Sequence, residues 1–129
     1  MPGRLRAQGT ALRDNELADV TQSHTAMISE DTIRQAAAAL VEAARPERVV
    51  LFGSYARGDA KPDSDLDFLV VEREVTDRFG EMVRLRRALR PLHVPADVLV
   101  VSTEELERYG SERGSVYWWA LQEGRVLHG

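Results

Sequence analysis

Asp65 and Asp67 stand two positions apart at the head of an apolar run that continues to Val71. Residues two apart in a strand point to one face, so the two carboxylates would share a side. A run that is apolar on both faces belongs in a buried sheet. There an ionised carboxylate is costly unless something pairs with it. Asp97 is a third acid, isolated in the apolar run Val94–Val101. If the two runs are neighbouring strands, three carboxylates can meet at one spot, and three anions meet only around a cation. Hard oxygen ligands with no cysteine or histidine beside them suit Mg2+ or Mn2+ rather than zinc.

Upstream, the run Arg48–Phe52 leads into Gly53-Ser54. Gly53 lets the backbone approach a ligand closely. Ser54 offers a hydroxyl and an N–H at the start of a helical turn, where phosphate is favoured. Arg57, one turn on, can add a charge-assisted contact to the same phosphate chain. A triphosphate held by Ser54 and Arg57, with metal on Asp65, Asp67 and Asp97, is the layout of two-metal phosphoryl transfer. The plainer alternatives are an ordinary Gly-Ser turn and strand-end acids kept in water. Asp97 has its own alternative, an ion pair with an arginine such as Arg57 or Arg84.

The elements that must position these residues follow from the pattern. Ser29 can cap a helix with Glu30 and Asp31 in its first turn. Ile33, Ala37, Leu40, Val41 and Ala44 make one apolar stripe along it before Pro46. Strands are expected over Arg48–Phe52, Asp65–Val71 and Val94–Val101. A short turn of helix through Tyr55–Arg57 would stop at Gly58, and Asp59–Ser64 reads as a polar loop. A helix over Thr76–Leu92 would bury Met82, Leu85, Leu89 and Leu92. Its other arc carries Arg84, Arg86, Arg87 and Arg90, read as a solvated face. Two short helices, Thr103–Tyr109 and Ser115–Gln122, and an extended piece, Arg125–His128, complete an α/β order with a small mixed sheet.

Composition narrows the class. A chain of 129 residues suits one domain with its own core. With 17 Lys+Arg against 21 Asp+Glu the net charge is −4, which argues against strong nucleic-acid binding through a broad basic surface. There is no cysteine, so disulfides, thiolate catalysis and cysteine zinc sites are excluded. The arginines near the N-terminus are not followed by an apolar segment of the signal-peptide kind. No apolar run approaches the ~20 residues of a membrane span. The expectation is a cytoplasmic protein. Residues 1–28 read as a flexible N-terminal extension, with a short helix around Ala11–Val20 as its one candidate element, and residues 29–129 as the domain.

Gly53-Ser54, ten intervening residues and Asp65-Leu66-Asp67 resemble the GS-x10-DxD signature of the polymerase-β-like nucleotidyltransferases. Arg57-Gly58 and Ser64 also fall where small members have them. Asp97 resembles the third carboxylate, and Ala120–Leu127 resembles the tail of the minimal nucleotidyltransferases, or MNT proteins. The resemblance implies an α/β (α+β) core, a small mixed sheet flanked by helices. It implies Asp65, Asp67 and Asp97 as catalytic metal ligands for two Mg2+ ions, with Mn2+ as a substitute. Gly53, Ser54, Arg57 and Ser64 would be the nucleotide-binding residues, with ATP as donor. Small members of this kind are often paired with a helical HEPN toxin, to which the MNT antitoxin adds AMP. A HEPN-type partner is therefore the acceptor that the resemblance implies.

Two other functions fit the same residues: a module that neutralises a partner by contact alone, and an antibiotic-modifying transferase. The missing acceptor-binding domain weighs against the second. Tyr117, Trp118 and Trp119 cannot all face inward from one helix. One is left to face a partner or another copy, where aromatic residues are enriched.

Overall fold

The computed structural model describes residues 27–129. The candidate helix around Ala11–Val20 lies outside the described residues. Helix α1 (Glu30–Ala44) starts as expected, with the Ser29 hydroxyl accepting from Thr32 N–H at 3.1 Å. It ends where Arg45 turns left-handed at φ 46°, just before Pro46. Its buried stripe is Ile33, Ala36, Ala37 and Leu40. Packing reaches one residue ahead of the helix cap, because Ile28 lies against the core and donates its N–H to the Tyr55 hydroxyl at 3.0 Å.

Strand β1 (Arg48–Phe52) and the four-residue helix α2 (Ser54–Arg57) stand where the sequence puts them. Strand β2 runs Leu66–Glu72, one residue later than expected. Leu66 N–H donates to Pro95 O, so Asp65 lies just outside the ladder. Helix α3 is Arg78–Ala88, shorter than the expected Thr76–Leu92. Asp77 caps its start by accepting from Gly80 N–H at 3.0 Å, and a separate 3-10 turn covers Arg90–Leu92. Strand β3 (Ala96–Ser102) begins two residues late, since His93 is left-handed at φ 54° and Pro95 has no N–H to give. Helix α4 (Thr103–Tyr109) opens on a Ser102–Glu105 capping box, and α5 (Val116–Glu123) on Ser115. The last strand, β4, is Arg125–His128.

The mixed sheet has the order β3-β2-β1-β4, with β1 antiparallel to both neighbours and β2 parallel to β3. Side chains alternate between its faces. Ile33 and Leu40 of α1, Leu85 and Leu89 of α3, and Val49, Leu51, Leu66, Phe68, Val98 and Val100 of the strands fill one side. The other side is thinner: Val50, Leu69, Val71 and Val101 lie under Ala120, with Leu106 and Tyr117 packed beside them. Asp67 and Asp97 have the parity of this second side. That is the chemical consequence of the register, because the smaller cover leaves the head of both strands accessible.

Candidate active site

Strand pairing sets the carboxylates in one row. Phe52 of β1 stands opposite Asp67 of β2, and Asp67 stands beside Asp97 of β3. Asp67 is half-buried, while Asp65 and Asp97 are exposed. Burial, first of all, pushes the Asp67 carboxyl above its ordinary range. The negative charges of Asp97, Asp65 and Glu123 push the same way, and Arg57 opposes them. An acid so placed is short of positive charge.

The Gly-Ser turn closes on this row from the β1 side. Gly53 has φ 76° and ψ −158°, a conformation that side chains rarely adopt. Its Cα is pressed so close to Asp67 that a Cβ would collide with the carboxylate. Only glycine fits, and the fit brings the turn to the acid. Ser54 opens α2, which stops at Gly58 with φ 89°. Ser64, expected among the nucleotide-binding residues, shapes the loop: its hydroxyl accepts from Lys61 N–H at 2.8 Å.

Arg57 is already engaged. Its Nη1 meets Glu123 at 3.2 Å and its Nε meets Asp59 at 3.3 Å. These two bonds, Glu123 first, hold the guanidinium charged. Glu123 is the residue that sequence reasoning missed. The signal was present as an acid directly before Gly124 in the tail stretch, but nothing local ties it to a turn 70 residues away. Asp97 pairs with Arg86 at 3.1 Å, so neither Arg57 nor Arg84 is its partner. Arg84 is occupied with Glu81 and the Ala43 carbonyl. Arg86 keeps to the exposed arc expected of it and from there also reaches Asp97.

Among the described residues no three Asp, Glu or His side chains are arranged to hold a metal ion. One of the three aspartates, Asp97, is paired with the Arg86 guanidinium instead. The chemistry of the donors nevertheless suits a hard divalent cation: Asp67 and Asp97 are neighbours in register, the Asp65 charge is felt at Asp67, and the half-buried Asp67 lacks compensating charge.

The Nucleotidyltransferase domain family matches residues 31–123, from the first turn of α1 to Glu123. The chain belongs to that family. A relative from Methanocaldococcus jannaschii, named "Putative protein adenylyltransferase MJ0141", is 32% identical over 76 residues, covering 51% of this chain and 77% of its own. Among solved structures, a nucleotidyltransferase-like protein of Sulfolobus solfataricus has a TM-score of 0.49 at 24% identity, covering 76% of this chain and 85% of that one. The MNT–HEPN complex of Shewanella oneidensis, with a tri-AMPylated HEPN toxin, gives 0.45 at 20% identity, over 78% and 73%.

This nucleotidyltransferase carries its aromatic cluster on the helix that supplies Glu123. Tyr117 packs inward against the second face of the sheet. Trp118 and Trp119 meet edge to face with ring centroids 4.9 Å apart, and Trp119 is 53% exposed. No described helix is long and apolar enough to cross a membrane.

Proposed function

We propose that the chain moves AMP from ATP to a hydroxyl of a partner protein and releases pyrophosphate. One observation carries this reading. A glycine turn that only glycine can make is seated directly on Asp67, with Asp97 beside it in register. A glycine turn suited to phosphate lying against carboxylates supports phosphoryl transfer. The family membership supports the same chemistry.

Ser54 and Arg57 hold the β and γ phosphates in this reading. Asp65, Asp67 and Asp97 hold two Mg2+ ions, or Mn2+ in their place. Bound there, the metal would lower the charge barrier to attack on the α-phosphorus and steady the pyrophosphate. The acceptor oxygen forms a bond to the α-phosphorus while the bond from that phosphorus to the bridging oxygen breaks. Asp97 takes the hydroxyl proton, and for that it must first part from Arg86.

A protein acceptor is favoured over an antibiotic, because Trp119 is left facing outward, as aromatic residues at partner interfaces do. By resemblance, the partner is a HEPN-type helical protein and the role that of an antitoxin. The test is incubation with Mg2+, ATP labelled on the α-phosphate and a lysate of the native host, beside Asp65→Asn/Asp67→Asn. Label entering one discrete protein with the unmodified enzyme only is the expected result. Full protection from a toxic partner by the double variant would instead establish neutralisation by contact.

A further inference from the structure

Glu123 closes α5, and its side chain is only 17% exposed, although it is an acid beside other acids. Its two oxygens have separate tasks. Oε2 accepts the Gly53 N–H at 2.8 Å, and Oε1 accepts from Arg57 Nη1 at 3.2 Å. One carboxylate thereby bridges the glycine of the phosphate turn and the arginine one helical turn beyond it. Gly124 explains how it gets there. A Cβ on Gly124 would collide with the Ala120 carbonyl and crowd Val50, so the chain lies flush on β1 as it leaves α5.

Electrostatics makes this location costly unless it does something. Glu123 is one of the charges that push the Asp67 carboxyl upward. Were packing its only role, a neutral residue would serve with less repulsion. What the charge supplies is orientation. Arg57 is more than two-fifths exposed, and a long side chain so placed samples many rotamers unless it is anchored. Glu123 and Asp59 anchor it at two nitrogens, and its Nη2 has no part in either ion pair.

We propose that Glu123 is a positioning residue for the triphosphate: it holds the Gly53-Ser54 turn and the Arg57 guanidinium in the arrangement that receives the β and γ phosphates. The inference rests on the nucleotidyltransferase reading of this site and extends it to a residue on the far helix. Glu123 would act through Gly53 and Arg57, the two groups it bonds.

The test compares binding of ATP and of AMP to the whole protein by titration calorimetry with Mg2+ present, because AMP lacks the two phosphates concerned. Glu123→Ala is expected to weaken ATP about tenfold, the scale of one charge-assisted hydrogen bond. AMP binding should stay within about twofold, inside the scatter of an uninvolved contact. Glu123→Gln keeps an acceptor for the Gly53 N–H but loses the ion pair, and should weaken ATP about threefold. If Glu123→Ala fails to fold, the Gln variant carries the test alone. In an Arg57→Ala background Glu123→Gln should cost little more, since its partner has gone. ATP and AMP weakening together would make Glu123 merely structural and overturn the inference. Unmodified protein that prefers ATP, with both Glu123 variants binding ATP equally well, would overturn it while sparing the wider reading. Unmodified protein that binds ATP no better than AMP would sink both.

Discussion

The two ends of β2 each gather acids around an arginine, and they resolve the excess negative charge differently. At the far end, Glu72 lies beside Glu81, and Arg84 serves them both. Glu72 Oε2 is buried with no hydrogen-bond partner, and burial, with Glu81 beside it, pushes the Glu72 carboxyl up to about 8. A proton therefore settles the charge there at neutral pH. At the near end Asp65, Asp67, Asp97 and Glu123 outnumber Arg57 and Arg86, and each arginine is already committed to a carboxylate. Asp65 and Asp97 also stand in solvent. What the far end does with a proton, the near end would, on the proposed reading, do with a cation. The comparison separates an acid cluster that closes on itself from one that is open to a ligand.

The strongest way to break this contrast is to neutralise the near end. Asp67→Asn should lower AMP transfer by about a thousandfold or more, as for loss of a group acting in the transition state. The same change should stabilise the protein at pH 7. The folded-state pKa of Asp67 is raised, so this carboxyl favours folding only while protonated and loses that advantage as pH climbs past the ordinary carboxylate range. With solvent screening the gain is up to about 1 kcal/mol. Thermal melts at pH 4 and pH 8 check it, and a variant less stable at pH 8 would count against the charge excess. Gly53→Ala comes next. The new methyl group would collide with the Asp67 carboxylate at a φ of 76°. We expect transfer to fall by about a hundredfold, as for small misplacements of reacting groups, with about 1–3 kcal/mol lost from stability. Activity at the unmodified level would show that the turn need not touch the acid.

How much of this was written in the sequence depends on the range over which each feature is set. Helix α1, strands β1 and β4 and helix α4 obey local rules, and their limits agree with the pattern. The ends of β2 and β3 do not, because the Leu66–Pro95 bond between distant segments starts the ladder. Asp65 and Asp67 were legible as a pair through their spacing. That Asp97 would stand beside Asp67 required the parallel pairing of β2 with β3, an assumption until the topology was known. Arg86 is exposed as the pattern implied, but its contact with Asp97 was not legible, because helical periodicity reports which arc is polar and says nothing of what a long side chain reaches. Glu123 was missed for a similar reason: its partner Gly53 is close only after α5 folds back on β1.

At the far end, Glu72→Gln sharpens the contrast. In the unfolded chain this carboxyl loses its proton near 4.5, whereas in the folded protein it keeps it up to about 8. Its stabilising effect is therefore full below pH 4.5 and is lost as pH rises to 8. Glutamine keeps the shape without the charge. The variant should match the unmodified protein at pH 4 and exceed it at pH 8.5 by about 1 kcal/mol, a value reduced for partial solvent contact. Denaturant unfolding at the two pH values measures this. Equal stability at both would mean that Arg84 alone compensates the pair.

The smallest expected effect tests the near end from its cationic side. Arg86 and Asp97 are each about half exposed, at 50% and 56%, so their pair contributes little to folding. Removing it by Arg86→Ala should change unfolding free energy by less than about 0.5 kcal/mol. Its influence should be on the cation. With the guanidinium gone, Asp97 is released to face Asp67, and both become available to one ion. Mn2+ binding, followed by electron paramagnetic resonance in the absence of nucleotide, should tighten by about threefold, the scale of a surface ion pair no longer competing. Arg86→Lys keeps the charge and should bind Mn2+ like the unmodified protein. Weaker binding in Arg86→Ala would give the arginine the opposite role, that of holding Asp97 ready for metal. The near end would then resemble the far one, with its acids arranged by their own arginines before any ligand arrives.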